Sequence, residues 1–294
     1  MYNYFMDYFF RAKKFRAKKR LGQNFLVDEK VIDDILSCVN NNDSVFEIGP
    51  GLGFATERLV DLAHDVVAVE IDKDAIEILS KNLGDRQNFK LIENDILKVN
   101  LGEIYPKDKK IKVVANIPYY ITSPILVHLL GEIDDFDNKN RNHIDEIILM
   151  VQLEVAKRIC ANENSQNKEY GMLSILSQFF CDAEIIRHVS KRSFYPSPKV
   201  DSAIVRIKNN AMPKIENPSP LLKRTIKAAF NTRRKNIKNS LLSAGMLNVQ
   251  EALEKIGMDS NVRGEKLSIQ DFNKLACALE EFNKWKCEFK HLQK

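Results

Sequence analysis

The stretch EIGPGLGF, Glu47 to Phe54, decides how the chain is read. It closes an apolar run, SVFEIG (44–49), and opens a helical one. Glycines at alternate positions, Gly49, Gly51 and Gly53, let a ligand come close to the backbone of a strand-to-helix loop. The spacing is G-x-G-x-G, which does not fit the dinucleotide fingerprint G-x-G-x-x-G. No G-x-x-x-x-G-K-[ST] run is present, which disfavours ATP. For the glycines alone, a tight structural turn is the competing reading.

The next two strand candidates answer it. VVAVEID (66–72) brings Glu70, and FKLIEND (89–95) brings Asp95, each at a strand's carboxyl end, where ligands of open α/β sheets bind. An acid at Glu70 can accept hydrogen bonds from both ribose hydroxyls, and Asp95 can accept one from an exocyclic adenine amine. A loop without phosphate ligands, a ribose acid and an adenine acid together suggest S-adenosylmethionine. Glu47 and its acidic surroundings would tolerate the cationic sulfonium.

Outward from these motifs, KVVANI (112–117) and EIILMVQ (146–152) continue the strands. Amphipathic stretches, Thr56 to Leu62 and Lys73 to Leu83, alternate with them. Strands apolar on both faces with helices between them argue for an α/β, Rossmann-like parallel sheet. AEIIRHV (183–189) and DSAIVRI (201–207) have no helix between them and read as a hairpin-like pair closing the sheet. Residues 208–220, with three prolines, read as a linker. Helices follow at Leu221–Asn231, Arg233–Ala244, Val249–Ile256 and Ser268–Trp285. The expected division is a basic extension at 1–20, a ligand-binding domain at 21–212 and a small all-helical, RNA-binding domain at 213–294.

The fourth strand ends unusually, in VVANIPYYITSP (113–124). The amino group of adenine is a poor nucleophile, because its lone pair is delocalised into the ring. An enzyme that methylates it must hold the nitrogen and favour a more tetrahedral geometry. The Asn116 side-chain oxygen and a backbone carbonyl at Ile117 or Pro118 would each take one N–H, a catalysis of positioning and electrostatics. Tyr119 supplies a stacking face for an unstacked base. SFYPSPKV (193–200) offers a second wall at Phe194 and Tyr195, and Lys199 for a phosphate. A proline-stiffened turn and a rigid hairpin tip are the plainer alternatives for the two segments.

Charge adds a partner. Residues 1–20 hold seven Lys/Arg and one acid, and residues 221–240 hold seven Lys/Arg and none, while the rest of the chain is acidic. Two concentrated positive blocks suggest a polyanion, with Arg233, Arg234, Lys235 and Lys238 expected on one helix as RNA contacts. The first block contains the tandem FRAKKFRAKKR, Phe10 to Arg20, readable as a nucleic-acid arm, a solvated tail or an organelle-targeting peptide. Five scattered cysteines without CxxC read as reduced thiols of a cytoplasmic protein, and no metal site is expected. No apolar run approaches the ~20 residues that span a bilayer. No signal for self-association is present, so a monomer is expected.

In this order, LGQNFLVD (21–28), FEIGPGLG, VEID, ENDIL, NIPYYITSPIL and FYPSPKVDSAIVRI resemble the ribosomal RNA adenine N6,N6-dimethyltransferases. AAFNTRRKNIKNSL (228–241) resembles the small-subunit, KsgA-type branch rather than the erythromycin-resistance branch acting on large-subunit RNA. The resemblance covers roughly residues 18–285. It implies a class I methyltransferase domain with a small helical domain, and S-adenosylmethionine as donor. It also implies two adjacent adenines in the 3′-terminal hairpin of small-subunit rRNA as substrate, within an immature 30S particle. Cofactor contacts then fall on Asn24, Leu26, Gly49, Gly51, Glu70, Asp95 and Asn116, and the pocket on Asn116, Pro118, Tyr119 and Phe194. A large-subunit or DNA methyltransferase and a non-catalytic nucleic-acid-binding relative remain as alternatives. DNA adenine methylases typically carry Asp-Pro-Pro-Tyr where this chain has Asn-Ile-Pro-Tyr. Two segments depart from the family pattern: the basic extension, and GEIDDFDNKNRNHIDE (131–146), a polar insertion.

Overall fold

The structure is a computed structural model that describes residues 4–166, 169–210 and 212–292. Its strands are β1 (Phe25–Leu26), β2 (Ser44–Ile48), β3 (Asp65–Glu70), β4 (Phe89–Glu93), β5 (Ile111–Asn116), β6 (Ile144–Gln152), β7 (Cys181–Val189), β8 (Phe194–Tyr195) and β9 (Ser202–Asn209). Helices α1 (Tyr4–Lys14), α2 (Glu29–Leu36), α3 (Phe54–Leu62), α4 (Lys73–Leu83), α5 (Leu101–Ile104) and α6 (Thr122–Leu130) are followed by α7 (Leu153–Cys160) and α8 (Met172–Phe179). The last four are α9 (Leu222–Asn231), α10 (Ile237–Ser243), α11 (Val249–Lys255) and α12 (Ile269–Leu292).

Seven strands form one sheet in the order β4-β3-β2-β5-β6-β9-β7. The pairs from β4 through β6 are parallel, and β9 runs antiparallel to both β6 and β7. The chain builds outward from β2 to β4, then returns to lay β5 on the other side of β2. That reversal opens a crevice above the carboxyl ends of β2 and β5, where the two crossover helices diverge. All five residues of β2 are buried, as its continuous apolar run requires under two helical layers. β7 alternates exposed positions with half-buried ones between two buried ends, as befits an edge strand.

The chain forms two compact units. Of the described residues, one unit comprises those through Gly131, Asp137–Lys157 and Cys181–Asn209; the other comprises those within 132–136, within 158–180 and from Asn210 onward. The sequence-based division differs from this at three places. The basic extension is not a separate piece: Tyr8 and Ala12, one helical turn apart on α1, are buried against the first unit's core. Phe179 and Phe180, at the end of α8, pack edge-on against Phe136, which draws this helix and part of the polar segment into the second unit.

The remainder of that polar segment is structural rather than an added surface loop. Asn140 and Arg141 are buried, and their side chains donate to His128 O (3.0 Å) and Leu130 O (2.5 Å). These are carbonyls of the last turn of α6, which has no intrahelical partners for them.

In the second unit, the expected single helix from Arg233 to Ala244 is shorter. Asn236 caps α10 by accepting from Asn239 N (2.9 Å), so Thr232 to Asn236 form a bend between α9 and α10. Gly264 allows that unit's close approach of a turn to α9, since a Cβ there would stand 2.8 Å from Ala229 Cβ.

Candidate active site

A cavity of the first unit opens at the β2/β5 reversal. Its wall takes Asn24 and Leu26 from the β1 segment, Glu47, Gly49 and Gly51 from β2 and its loop, and Glu70 from β3. Asp95 enters from the end of β4, and Asn116 and Pro118 from the end of β5. The expected cofactor residues therefore converge on one crevice from five parts of the chain.

The glycine loop needs its glycines. Gly49, Gly51 and Gly53 have φ of +67°, +57° and +80°, the left-handed region that side chains avoid. At Gly51 a Cβ would also stand 3.1 Å from the Phe25 ring. The loop is tied to β3 by its acid. Glu70 Oε2 accepts from Gly51 N (3.0 Å), and Oε1 accepts from Ile71 N (2.8 Å) and Asp72 N (2.9 Å). Burial pushes the Glu70 carboxyl above its ordinary range, while these three N–H groups pull it back. Asp95 uses one oxygen to cap the turn at Leu97 N (3.0 Å) and lies half-buried on the cavity wall. Ile71 and Ile96 flank the two acids with apolar surface fit for a purine ring.

Asn116 ends β5 with its amide nitrogen directed to Asn24 O (3.4 Å). Asn24 in turn donates to Gly22 O (3.0 Å). The donor end of Asn116 is thus turned to the protein, which leaves the oxygen as the end that can accept. Pro118 O already accepts from Ile121 N (3.1 Å); its second lone pair is the one available to a substrate amine. Tyr119 gives its backbone to this turn, and its side chain lies outside the described part of the structure.

Phe194 is not on the cavity wall. It is 3% exposed and paired in the β1–β8 ladder with Leu26, so it stands beside a wall residue rather than in the wall. Lys199 is exposed. In the second unit, Arg233 is occupied internally: its guanidinium donates to Tyr170 O (2.5 Å) and lies over the Phe230 ring. Lys235 donates to Ser243 Oγ (2.8 Å), while Arg234 is exposed in the bend.

Several wall residues were not singled out by sequence. Tyr120 is 67% exposed at the mouth, next to the flagged Tyr119. Phe25 and Gln23 enter from the β1 segment, where Gln23 Nε2 donates to Asp72 (2.5 Å). Glu47, by contrast, was expected from the sequence to face a sulfonium; it is 4% exposed, and its Oε2 has no hydrogen-bond partner among the described residues. Burial pushes this carboxyl up to about 7; the nearby Thr56 hydroxyl pulls it back, and the charge of Glu70 adds to the rise. An orphaned buried acceptor on the wall is what a cationic ligand such as a sulfonium compound would satisfy, so the residues present fit S-adenosylmethionine.

A pH dependence follows. A carboxyl raised in the folded state contributes stability that is complete below the ordinary carboxylate range and lost as pH rises through about 7. Relative to a Glu47→Gln variant, the ligand-free protein should lose stability between pH 5 and pH 8, by on the order of 3 kcal/mol at most. Its affinity for S-adenosylmethionine should rise over the same interval, because the bound cation favours the ionised acid. Denaturation and calorimetry at the two pH values check both, and equal slopes in the two proteins would remove the assignment.

Comparison with known proteins gives the family. The family model for ribosomal RNA adenine dimethylases matches residues 14–281. The "Ribosomal RNA small subunit methyltransferase A" of Clostridium botulinum (strain Okra / Type B1) is 42% identical over 268 residues, covering 90% of this chain and 94% of its own. The protein of that name from Clostridium acetobutylicum is 40% identical over 267 residues, covering 89% and 93%. A dimethyladenosine transferase from Plasmodium falciparum superposes with a TM-score of 0.69 at 27% identity, over 87% of this chain and 96% of that one. The 23S rRNA methyltransferase ErmE does so at 0.64 and 27%, over 87% and 100%. With a family match over most of its length and relatives above 40% identity, the chain belongs to the ribosomal RNA adenine dimethylases.

Proposed function

We propose that the protein is a small-subunit rRNA adenine N6,N6-dimethyltransferase, which transfers methyl groups from S-adenosylmethionine to two adjacent adenines of the 3′-terminal hairpin in immature 30S particles. The observation that carries the reading is Asn116: its amide donates inward to Asn24 O and lines the same crevice as Glu70 and Asp95. The small-subunit target is favoured over the large-subunit one by the 42% identical relative named for the small subunit, against 27% for ErmE.

S-adenosylmethionine would supply an electrophilic methyl group on its sulfonium. Glu70 would accept from the ribose hydroxyls, Asp95 from the adenine amine, and Glu47 would face the positive charge. Asn24, Leu26, Gly49 and Gly51 form the surrounding wall. Asn116 Oδ1 and the carbonyl of Ile117 or Pro118 each accept one N–H of the target amine, which turns its lone pair away from the base plane. No strong base is required, because the two acceptors align the nitrogen for attack. Tyr119 would offer the base a stacking face. Phe194 would act through Leu26 by fixing the β1 segment.

Labelled S-adenosylmethionine with immature small subunits tests the reading. Label at N6,N6 of adenine in small-subunit RNA is the expected result. Label confined to large-subunit RNA, or binding with no label, would replace it with one of the alternatives.

The second basic block would contact RNA through Arg234, Lys235, Lys238 and, on the first unit, Lys199. Arg233 has a different weight, since its guanidinium is spent on Tyr170 O. Arg234→Glu with Lys238→Glu should weaken RNA binding and flatten its salt dependence, by about 0.7 in logarithmic slope for each phosphate that is no longer neutralised. Arg233→Gln should instead lower the melting temperature. A salt titration of binding beside thermal melts separates the two effects.

A further inference from the structure

We infer that α1 and the turn that follows it are a fixed RNA-phosphate-binding surface beside the mouth of the cavity, a surface built by the tandem FRAKK repeat. The inference rests on the proposed RNA substrate and adds a site to it.

The repeat divides its cations by task. Arg11 is a clamp: its guanidinium makes two bonds to Glu57 on α3, at 3.1 and 2.5 Å, and lies 4.9 Å from the Phe54 ring centroid. Lys18 is a second clamp, paired with Asp72 and Asp74. Burial alone would disfavour the Asp72 carboxylate, but the Lys18 ammonium and Gln23 amide hold it below its ordinary range. The aromatic residues complete the anchoring. Tyr8 stacks on Phe54 at 4.6 Å, Phe15 meets Phe25 edge-on at 5.5 Å, and Phe9 meets Tyr195 at 5.2 Å. Burial pushes the Tyr8 hydroxyl up to about 12, as expected for a ring seated in a core. A free tail or a detachable leader has no need of these contacts.

Five cations remain. Lys13, Lys14, Arg16, Lys19 and Arg20 are exposed or nearly so, and none has an acidic partner among the described residues. They are held on a rigid base, so little ordering entropy is lost when they bind. The chain leads from them directly into Leu21, Gly22 and Gln23, which line the cavity. A nucleotide whose base enters that cavity must leave its flanking phosphates at the mouth. Lys19 and Arg20 adjoin that mouth in the chain, and Lys13, Lys14 and Arg16 extend the unpaired positive surface away from it, which matches flanking phosphates in charge.

The test replaces Lys13, Lys14, Arg16, Lys19 and Arg20 by Gln in the full chain, with Tyr8, Arg11, Ala12 and Lys18 kept. Binding of a 3′-terminal small-subunit hairpin RNA is followed across a salt titration. The expected result is a shallower slope of log K against log salt, by about 0.7 per neutralised phosphate and up to about 3.5 in all. S-adenosylmethionine affinity and melting temperature should be unchanged. If the fivefold variant melts early, the double variants Lys13→Gln/Lys14→Gln and Lys19→Gln/Arg20→Gln are compared with Lys81→Gln/Lys90→Gln, two exposed lysines off the cavity wall. A slope equal to wild type, or one lowered no more than in that control, overturns the inference. Binding is read independently of turnover. A wild-type protein that binds the hairpin through these cations yet methylates only another RNA would sink the proposed function and keep the surface.

Discussion

Asn116→Ala is expected to lower methyl transfer by about 10²–10³-fold at saturating S-adenosylmethionine, with RNA binding close to wild type. The side chain contributes little to folding, since its one described protein contact is a long bond to Asn24 O, 3.4 Å. Its proposed work is done on the target amine. An acceptor that grips the N–H as the lone pair leaves conjugation is worth more in the transition state than in the ground state, so the loss should fall on kcat. Asn116→Asp keeps an acceptor oxygen and gives up the inward bond to Asn24 O. It should retain more activity than the alanine variant. Single-turnover rates on hairpin RNA measure both. An alanine variant at wild-type rate would mean that the amine is held by other groups.

How far the sequence alone reached can be judged residue by residue. Strands β2 to β6 were legible because each is a mainly apolar run, closed by Gly, an acid or an amide. Their ends carry Gly49, Glu70, Asp95 and Asn116 to one crevice. What escaped was short-range or satisfied by distant parts of the chain. β1 and β8 have two residues each, too few to show periodicity, and their pairing is what sets Phe194 beside Leu26. The polar segment before β6 reads as an insertion because its amides and Arg141 are hydrophilic. Their partners are carbonyls ten or more residues away in α6. In the basic repeat, the charge run drew attention from Tyr8 and Ala12, whose i, i+4 spacing is the readable sign of a docked face. The broken helix at Asn236 had its signal too, a capping residue ahead of Ile237.

The second large effect is expected at Glu70. This carboxylate has two kinds of partner: loop N–H groups seen in the structure, and the ribose hydroxyls it would hold in the complex. Glu70→Ala strands the N–H groups of Gly51 and Asp72, both in buried residues, and each such orphan costs about 1–3 kcal/mol. Stability should fall by a few kcal/mol, and Gly51, no longer tied to β3, is free to leave the conformation that shapes the cavity. Two hydrogen bonds to a charged acceptor are worth about 1.5–3 kcal/mol each, so adenosyl-ligand affinity should weaken by at least about 10²-fold. Glu70→Gln separates the two roles. It preserves the size of the side chain and one acceptor oxygen, so it should melt closer to wild type yet still bind S-adenosylhomocysteine more weakly. That ligand lacks the sulfonium charge, which removes Glu47 from the comparison and leaves the ribose contact as the variable. Calorimetry with the neutral ligand, beside thermal melts of both variants, reads the result. Wild-type affinity in a folded Glu70→Gln protein would reduce Glu70 to a brace for the glycine loop and move ribose recognition elsewhere on the wall.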